Sequence, residues 1–160
     1  MNARLNYGKA APGVYEAMDT LVGYIEKAGL DPTILHLVQL RASQINDCDG
    51  CLDMHTEALR TLGETDERLD SVETWRDASC YTDRERAALA WAEAVTLVAG
   101  ARVPTRVFDE LCLHFSEKEI CDLTFAIAAI NAWNRLSITD RLVAGEYEST
   151  SWLEIMKEAR

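Results

Sequence analysis

Apolar residues recur at intervals of three and four along most of this chain, the period of a helix that buries one face. Val14, Met18, Leu21, Val22 and Ile25 predict a helix over 14–27, stopped at Gly29. Asp31-Pro32 opens a second, with Asp31 as N-cap and Pro32 in the first turn, and Ile34, Leu37, Val38, Arg41 and Ile45 continue it. Asn46 and Asp47 break that helix and cap a third, which begins at Cys48 and runs to about Leu62, with Gly63 as its stop. In the charged stretch 64–82, Leu69, Val72 and Trp75 predict a short helix packed loosely on the body. Thr82 with Glu85, and Ser116 with Glu119, have capping-box spacing. The first box opens a helix through Trp91, Ala94, Val95 and Val98; the second opens a long one through Leu123, Ile127, Ile130 and Trp133. Between them Pro104 starts a short helix that ends near Phe115. No stretch alternates apolar and polar residues as a half-buried strand does. The expected fold is all-α: a single compact domain of about seven helices over residues 1–145, with a C-terminal extension over 146–160.

Composition limits what such a domain does. A chain of 160 residues buries about 68–70% of its unfolded surface, so it needs no disulfide framework to hold a core. There are 27 acidic against 16 basic residues, a formal net charge of −11, and no Lys/Arg run offsets it. Such a surface repels phosphate, so neither nucleic acid nor an anionic membrane is an expected partner. The uncharged stretch 123–134 is far short of the ~20 residues that cross a bilayer. Residues 1–11 have no apolar core of a secretory signal, and the expected location is cytoplasmic. In that compartment paired cysteines are more often catalytic or metal-binding than structural. The cysteine count of five is odd, which argues further against a fully paired framework.

The chemistry concentrates in Cys48-x-x-Cys51-x-x-x-His55. At ~100° per residue these three side chains fall within roughly 60° of one another around a helix. Helical side chains lean toward the N-terminus, which aims the His55 imidazole at Cys51. A first-turn sulfur also gains from the unpaired N–H groups at the helix start, and this favours a thiolate at Cys48. Residue chemistry alone leaves three readings open: a redox-active dithiol, part of a zinc site completed by His36, His114 or another cysteine, or two buried small hydrophobes. Cys80, Cys112 and Cys121 have no partner at motif spacing, and Cys112 and Cys121 are expected in the core. Asn131, Trp133 and Arg135 read as packing or interface residues. Arg41 fits either the catalytic face or a salt bridge.

The run from Leu40 to Asn46, followed by the cysteine motif, resembles the alkylhydroperoxidase D-like branch of the carboxymuconolactone decarboxylase family. Further matching runs are Glu85 to Trp91, His114 to Glu119 and Ala129 to Arg135, so the resemblance covers about residues 1–143. It implies an all-helical homo-oligomer, a trimer or hexamer. The implied activity is thiol-dependent reduction of a small hydroperoxide, with Cys48 and Cys51 as the redox pair and His55 as the proton-relay histidine. It implies no bound cofactor or metal, and an external dithiol as reductant, lipoyl-type or otherwise, carried by an adaptor protein in the best-known member. An alternative within the same resemblance is a disulfide oxidoreductase, sensor or scaffold that turns over little peroxide. Two positions depart from the pattern. His36 stands where relatives often place a glutamate, twelve residues before the first cysteine, and is a candidate relay residue or, as imidazolium, a thiolate stabiliser. Gly50 stands where relatives often carry a bulkier side chain.

Overall fold

The computed structural model describes residues 4–5 and 7–140, and every described element in it is helical. Eight α-helices follow one another: α1 (Tyr7–Ala10), α2 (Pro12–Lys27), α3 (Pro32–Asn46), α4 (Asp49–Thr61), α5 (Asp66–Asp70), α6 (Asp83–Thr96), α7 (Thr105–Cys112) and α8 (Glu117–Asp140), with a 3₁₀ turn at Ser71–Thr74 after α5. The single turn α1 is the one element that the apolar pattern does not announce. The expected extension over 146–160 lies outside the described residues.

The local signals act where they stand. Asp31 caps α3 by accepting from the Thr33 and Ile34 N–H groups at 2.9 and 3.1 Å. Thr82 and Glu85 form a reciprocal capping box on α6. Ser116 and Glu119 do the same for α8, and those bonds, with Arg84, hold the Glu119 carboxyl down to about 2. Gly29 and Gly63 close α2 and α4 at positive φ, 82° and 96°, where a Cβ would be strained. Substituting Asp31 by alanine is expected to cost about 1 kcal/mol, the usual worth of a side-chain N-cap, read as a lowered urea midpoint with unchanged m-value.

α3 is the spine of the fold, buried on three sides. Ile34 and Val38 pack with Ala88, Trp91, Leu111, Leu123 and Ile127 of α6, α7 and α8. Leu37 and Leu40 pack with Leu59, Leu89 and the segment carrying Leu69, Val72 and Trp75. Ala42 meets Met18 and Val22 of α2 with Ile130 and Trp133 of α8. The short segment after α4 is therefore not loosely attached: Leu69, Val72 and Trp75 are all buried. Trp75 also donates to Glu93 at 3.0 Å, and Glu93 accepts from Arg41 at 2.8 Å. That bond places Arg41 in a salt bridge that ties α3 to α6.

Cys112 and Cys121 are exposed, not core. Leu111 and Phe115 take the buried face at the end of α7, and Ile120 and Leu123 take it on α8, so each cysteine stands about 100° away from the apolar stripe beside it. Cys80 is exposed too. Iodoacetamide is expected to label these three in the native oxidised protein, and all five cysteines after reduction and unfolding, as counted by intact mass.

Candidate active site

The turn between α3 and α4 is two residues long, Asp47 and Cys48. Asp47 adopts a left-handed conformation, φ 59°, which aspartate tolerates better than most non-glycine residues. Its N–H bonds to the Gln44 carbonyl at 3.2 Å and that of Cys48 to the Ser43 carbonyl at 3.1 Å, the paired bonds of a Schellman stop. Asp47 thus closes α3 and does not cap α4. Cys48 is itself the N-cap of α4, which starts one residue later than the periodicity suggests. Cys51 stands in the first turn of that helix, and the two cysteines form a disulfide with Cα atoms 5.4 Å apart. Both are buried, at 2% and 4% exposure.

His55 follows one turn later on the same face and is fully buried. Its Nδ1 lies 3.2 Å from Nδ1 of His36, which reaches across from α3. A hydrogen bond between two imidazole nitrogens needs one proton and one lone pair, so at least one ring is neutral. Burial lowers the pKa of His36 to about 4. Burial, and then the charge of His36, push His55 well below its ordinary range. At neutral pH, with the disulfide formed, the pair is therefore uncharged, which removes an imidazolium role for His36 in this state. His36 is half-buried, so the pair runs from the interior at His55 toward solvent.

A directed polar network fastens the other side of the site to α8. Asn46 donates from Nδ2 to Oδ1 of Asn131 and of Asn134, at 3.0 and 2.9 Å. Asn134 donates to the Ser43 hydroxyl at 3.1 Å, which in turn donates to the Gln39 carbonyl at 2.8 Å. Asn131 also donates to Thr96 at 3.0 Å. The Ser137 hydroxyl lies 3.9 Å from Cys51 Sγ; a disulfide sulfur carries no proton, so the hydroxyl is the donor. The structure thus joins Cys48, Cys51, His55 and His36 in one place. It leaves His114 with Glu110 at the end of α7, 3.3 Å apart. Among the described residues no group of three or more His, Cys, Asp or Glu is arranged to hold a metal ion. Sequence reasoning singles out none of Ser43, Asn134 and Ser137, and gives Asn46 only a helix-breaking and capping role. Their signal is the polar set Asn131, Asn134 and Ser137, three residues apart and interleaved with the buried apolar residues Ile127, Ile130 and Trp133 of α8.

The sequence profile of the carboxymuconolactone decarboxylase family matches residues 12–94. An uncharacterised protein of Bacillus subtilis, YdfG, is 35% identical over 138 residues, covering 86% of this chain and 94% of its own length. The crystal structure of an Agrobacterium tumefaciens protein of unknown function, suggested to be the antioxidant defence protein AhpD, superposes with a TM-score of 0.87 at 40% identity, over 89% of this chain and 98% of that one. The debrominase Bmp8 shares the fold, with a TM-score of 0.75 at 20% identity over 83% of this chain and 72% of its own. By its profile, its relatives and its fold, the chain belongs to the carboxymuconolactone decarboxylase family, with the architecture of an AhpD-like protein.

Proposed function

We propose that this protein is a thiol-dependent peroxidase that cycles Cys48 and Cys51 between dithiol and disulfide. The observation that carries the reading is the buried disulfide at the start of α4, one turn from a histidine that is itself coupled to a second, half-buried histidine. In the reduced protein Cys51 gives its proton to His55 Nε2. His55 passes its Nδ1 proton to His36 Nδ1, and His36 releases one to solvent. The Cys51 thiolate attacks the distal oxygen of ROOH; the S–O bond forms, the O–O bond breaks, and the leaving alkoxide takes a proton back from solvent through the same two histidines to become ROH. Cys48, held as thiolate by the free N–H groups at the helix start, attacks the Cys51 sulfenic sulfur; the S–S bond forms, the S–O bond breaks, and the departing hydroxide takes a proton from solvent through the histidines to leave as water. An external dithiol then restores both thiols by exchange and becomes a disulfide itself.

Burial of both sulfurs favours a small oxidant over a folded protein substrate. The proposed assembly is a homo-oligomer: Leu97, Val98, Phe108 and Leu113 are large apolar side chains exposed on one protomer, a surface that a symmetric partner would cover. Among the described residues no helix is long and apolar enough to cross a membrane. The test is peroxide consumption by wild-type protein in excess dithiol, with the intact mass followed in parallel. The expected result is catalytic consumption of hydroperoxide, and loss of two hydrogens when the reduced protein meets peroxide alone. Disulfide formation by other oxidants without peroxide consumption would replace this reading by the oxidoreductase or sensor one.

A further inference from the structure

The side chain of Gln39 takes no part in the network around it. It is 3% exposed, and its Oε1 is buried with no hydrogen-bond partner among the described residues. A buried acceptor without a donor carries a desolvation cost, and such groups in native proteins call for an explanation. Gln39 lies on α3 one turn after His36 and one turn before Ser43, and the three share a face within about 60°. The flanking members of that face reach out of α3 on either side: His36 to His55 of α4, and Ser43 to Asn134 of α8. Cys51 of α4 meets Ser137 of α8. Gln39 is thus a buried residue on the α3 face whose other members bond to α4 and α8, the two helices that carry Cys51 and its Ser137 neighbour.

We infer that Gln39 is a substrate-binding residue whose Oε1 accepts the hydroperoxide O–H and presents the distal oxygen to Cys51. The inference rests on the peroxidase reading and names the group that orients its substrate. The polarity suits the chemistry. When the Cys51 thiolate attacks ROOH, the hydrogen on the distal oxygen is not transferred; it remains on that oxygen in the sulfenic acid. An acceptor there holds the same O–H in substrate and product. The proton that moves is a different one, supplied to the leaving alkoxide through the histidines.

The test uses full-length protein, reduced beforehand, as wild type and Gln39→Leu, with Gln39→Met as a second apolar replacement. Disulfide formation is timed with hydrogen peroxide, with tert-butyl hydroperoxide, and with diamide, a dithiol oxidant that has no O–H to offer. Losing the hydrogen bond is expected to slow both peroxides about tenfold and to leave the diamide rate within about twofold. Because an apolar side chain removes the unpaired acceptor, the melting temperature is expected to rise by about 2–4 °C. Equal slowing by peroxide and diamide, or no slowing by peroxide in either variant, would overturn the assignment while the peroxidase reading stands. A wild-type protein that diamide oxidises and peroxides do not would end both.

Discussion

Cys51→Ser is expected to abolish peroxide turnover, a loss of at least about 10³-fold, while leaving the fold intact. A serine hydroxyl at that position is protonated at any working pH and does not displace oxygen from a peroxide as a thiolate does. The substitution replaces one small buried atom on a helix that also buries His55, Ala58 and Leu59, so far-ultraviolet circular dichroism should not change. Cys48→Ser should behave differently. Cys51 keeps its neighbours His55 and Ser137, so peroxide still oxidises it once, and the product is a sulfenic acid that dimedone traps. Without Cys48 no internal disulfide closes, and turnover falls by about 10²-fold with a small monothiol as reductant. The pair of variants fixes the order of events: dimedone adduct in Cys48→Ser and none in Cys51→Ser supports Cys51 as the attacking sulfur. The reverse pattern would exchange the two roles, and full turnover in either variant would remove the dithiol cycle altogether.

The contrast between the two sulfurs also shows how far sequence reasoning reaches in this fold. Cys48, Cys51 and His55 are legible because they share one helix, and helical periodicity alone places them together. The caps at Asp31, Thr82 and Ser116 are legible for the same reason, since each involves residues two or three apart. α4 starts one residue later than its side-chain pattern predicts. The reason is that the Asp47 left-handed turn satisfies the end of α3, and its bonds use backbone groups that no side-chain pattern announces. The pairing of His36 with His55 spans 19 positions, and the Asn134 bond to Ser43 spans 91; both depend on how α3, α4 and α8 pack. The misplacement of Cys112 and Cys121 follows from their size and polarity: a free thiol fits the edge of an apolar stripe as readily as its centre.

The histidine pair makes a second large prediction, and its sign is fixed by the direction of the pKa shifts. His36 titrates at about 4 in the folded oxidised protein, against about 6.5 when unfolded, and burial is the cause. Between those values the unfolded chain binds a proton that the native one does not, so the stability this group contributes is complete above pH 6.5 and is lost as pH falls. Linkage puts the loss from His36 at roughly 3 kcal/mol by pH 4; His55, shifted the same way by burial and by His36, adds to it. That is a large fraction of the 5–15 kcal/mol that holds a typical domain together. Urea unfolding at pH 7 and at pH 4.5 should therefore show a marked fall for the wild type, and a shallower one when both histidines become asparagine. Equal falls would mean that other groups govern acid sensitivity. The same substitutions act oppositely on catalysis. His55→Asn keeps a polar group facing His36 but removes the base beside Cys51, and general-base losses of this kind run to about 10²–10⁴-fold. His36→Asn leaves that base in place and interrupts only the exit of the proton, so a loss of about tenfold is expected. That loss should be recovered in part by small buffer bases, which accept the proton directly; His55→Asn should show no such recovery. Relief of acid sensitivity together with loss of rate is what a neutral, buried relay requires, whereas a purely structural pair would lose stability at every pH and leave the peroxide rate of the folded fraction unchanged.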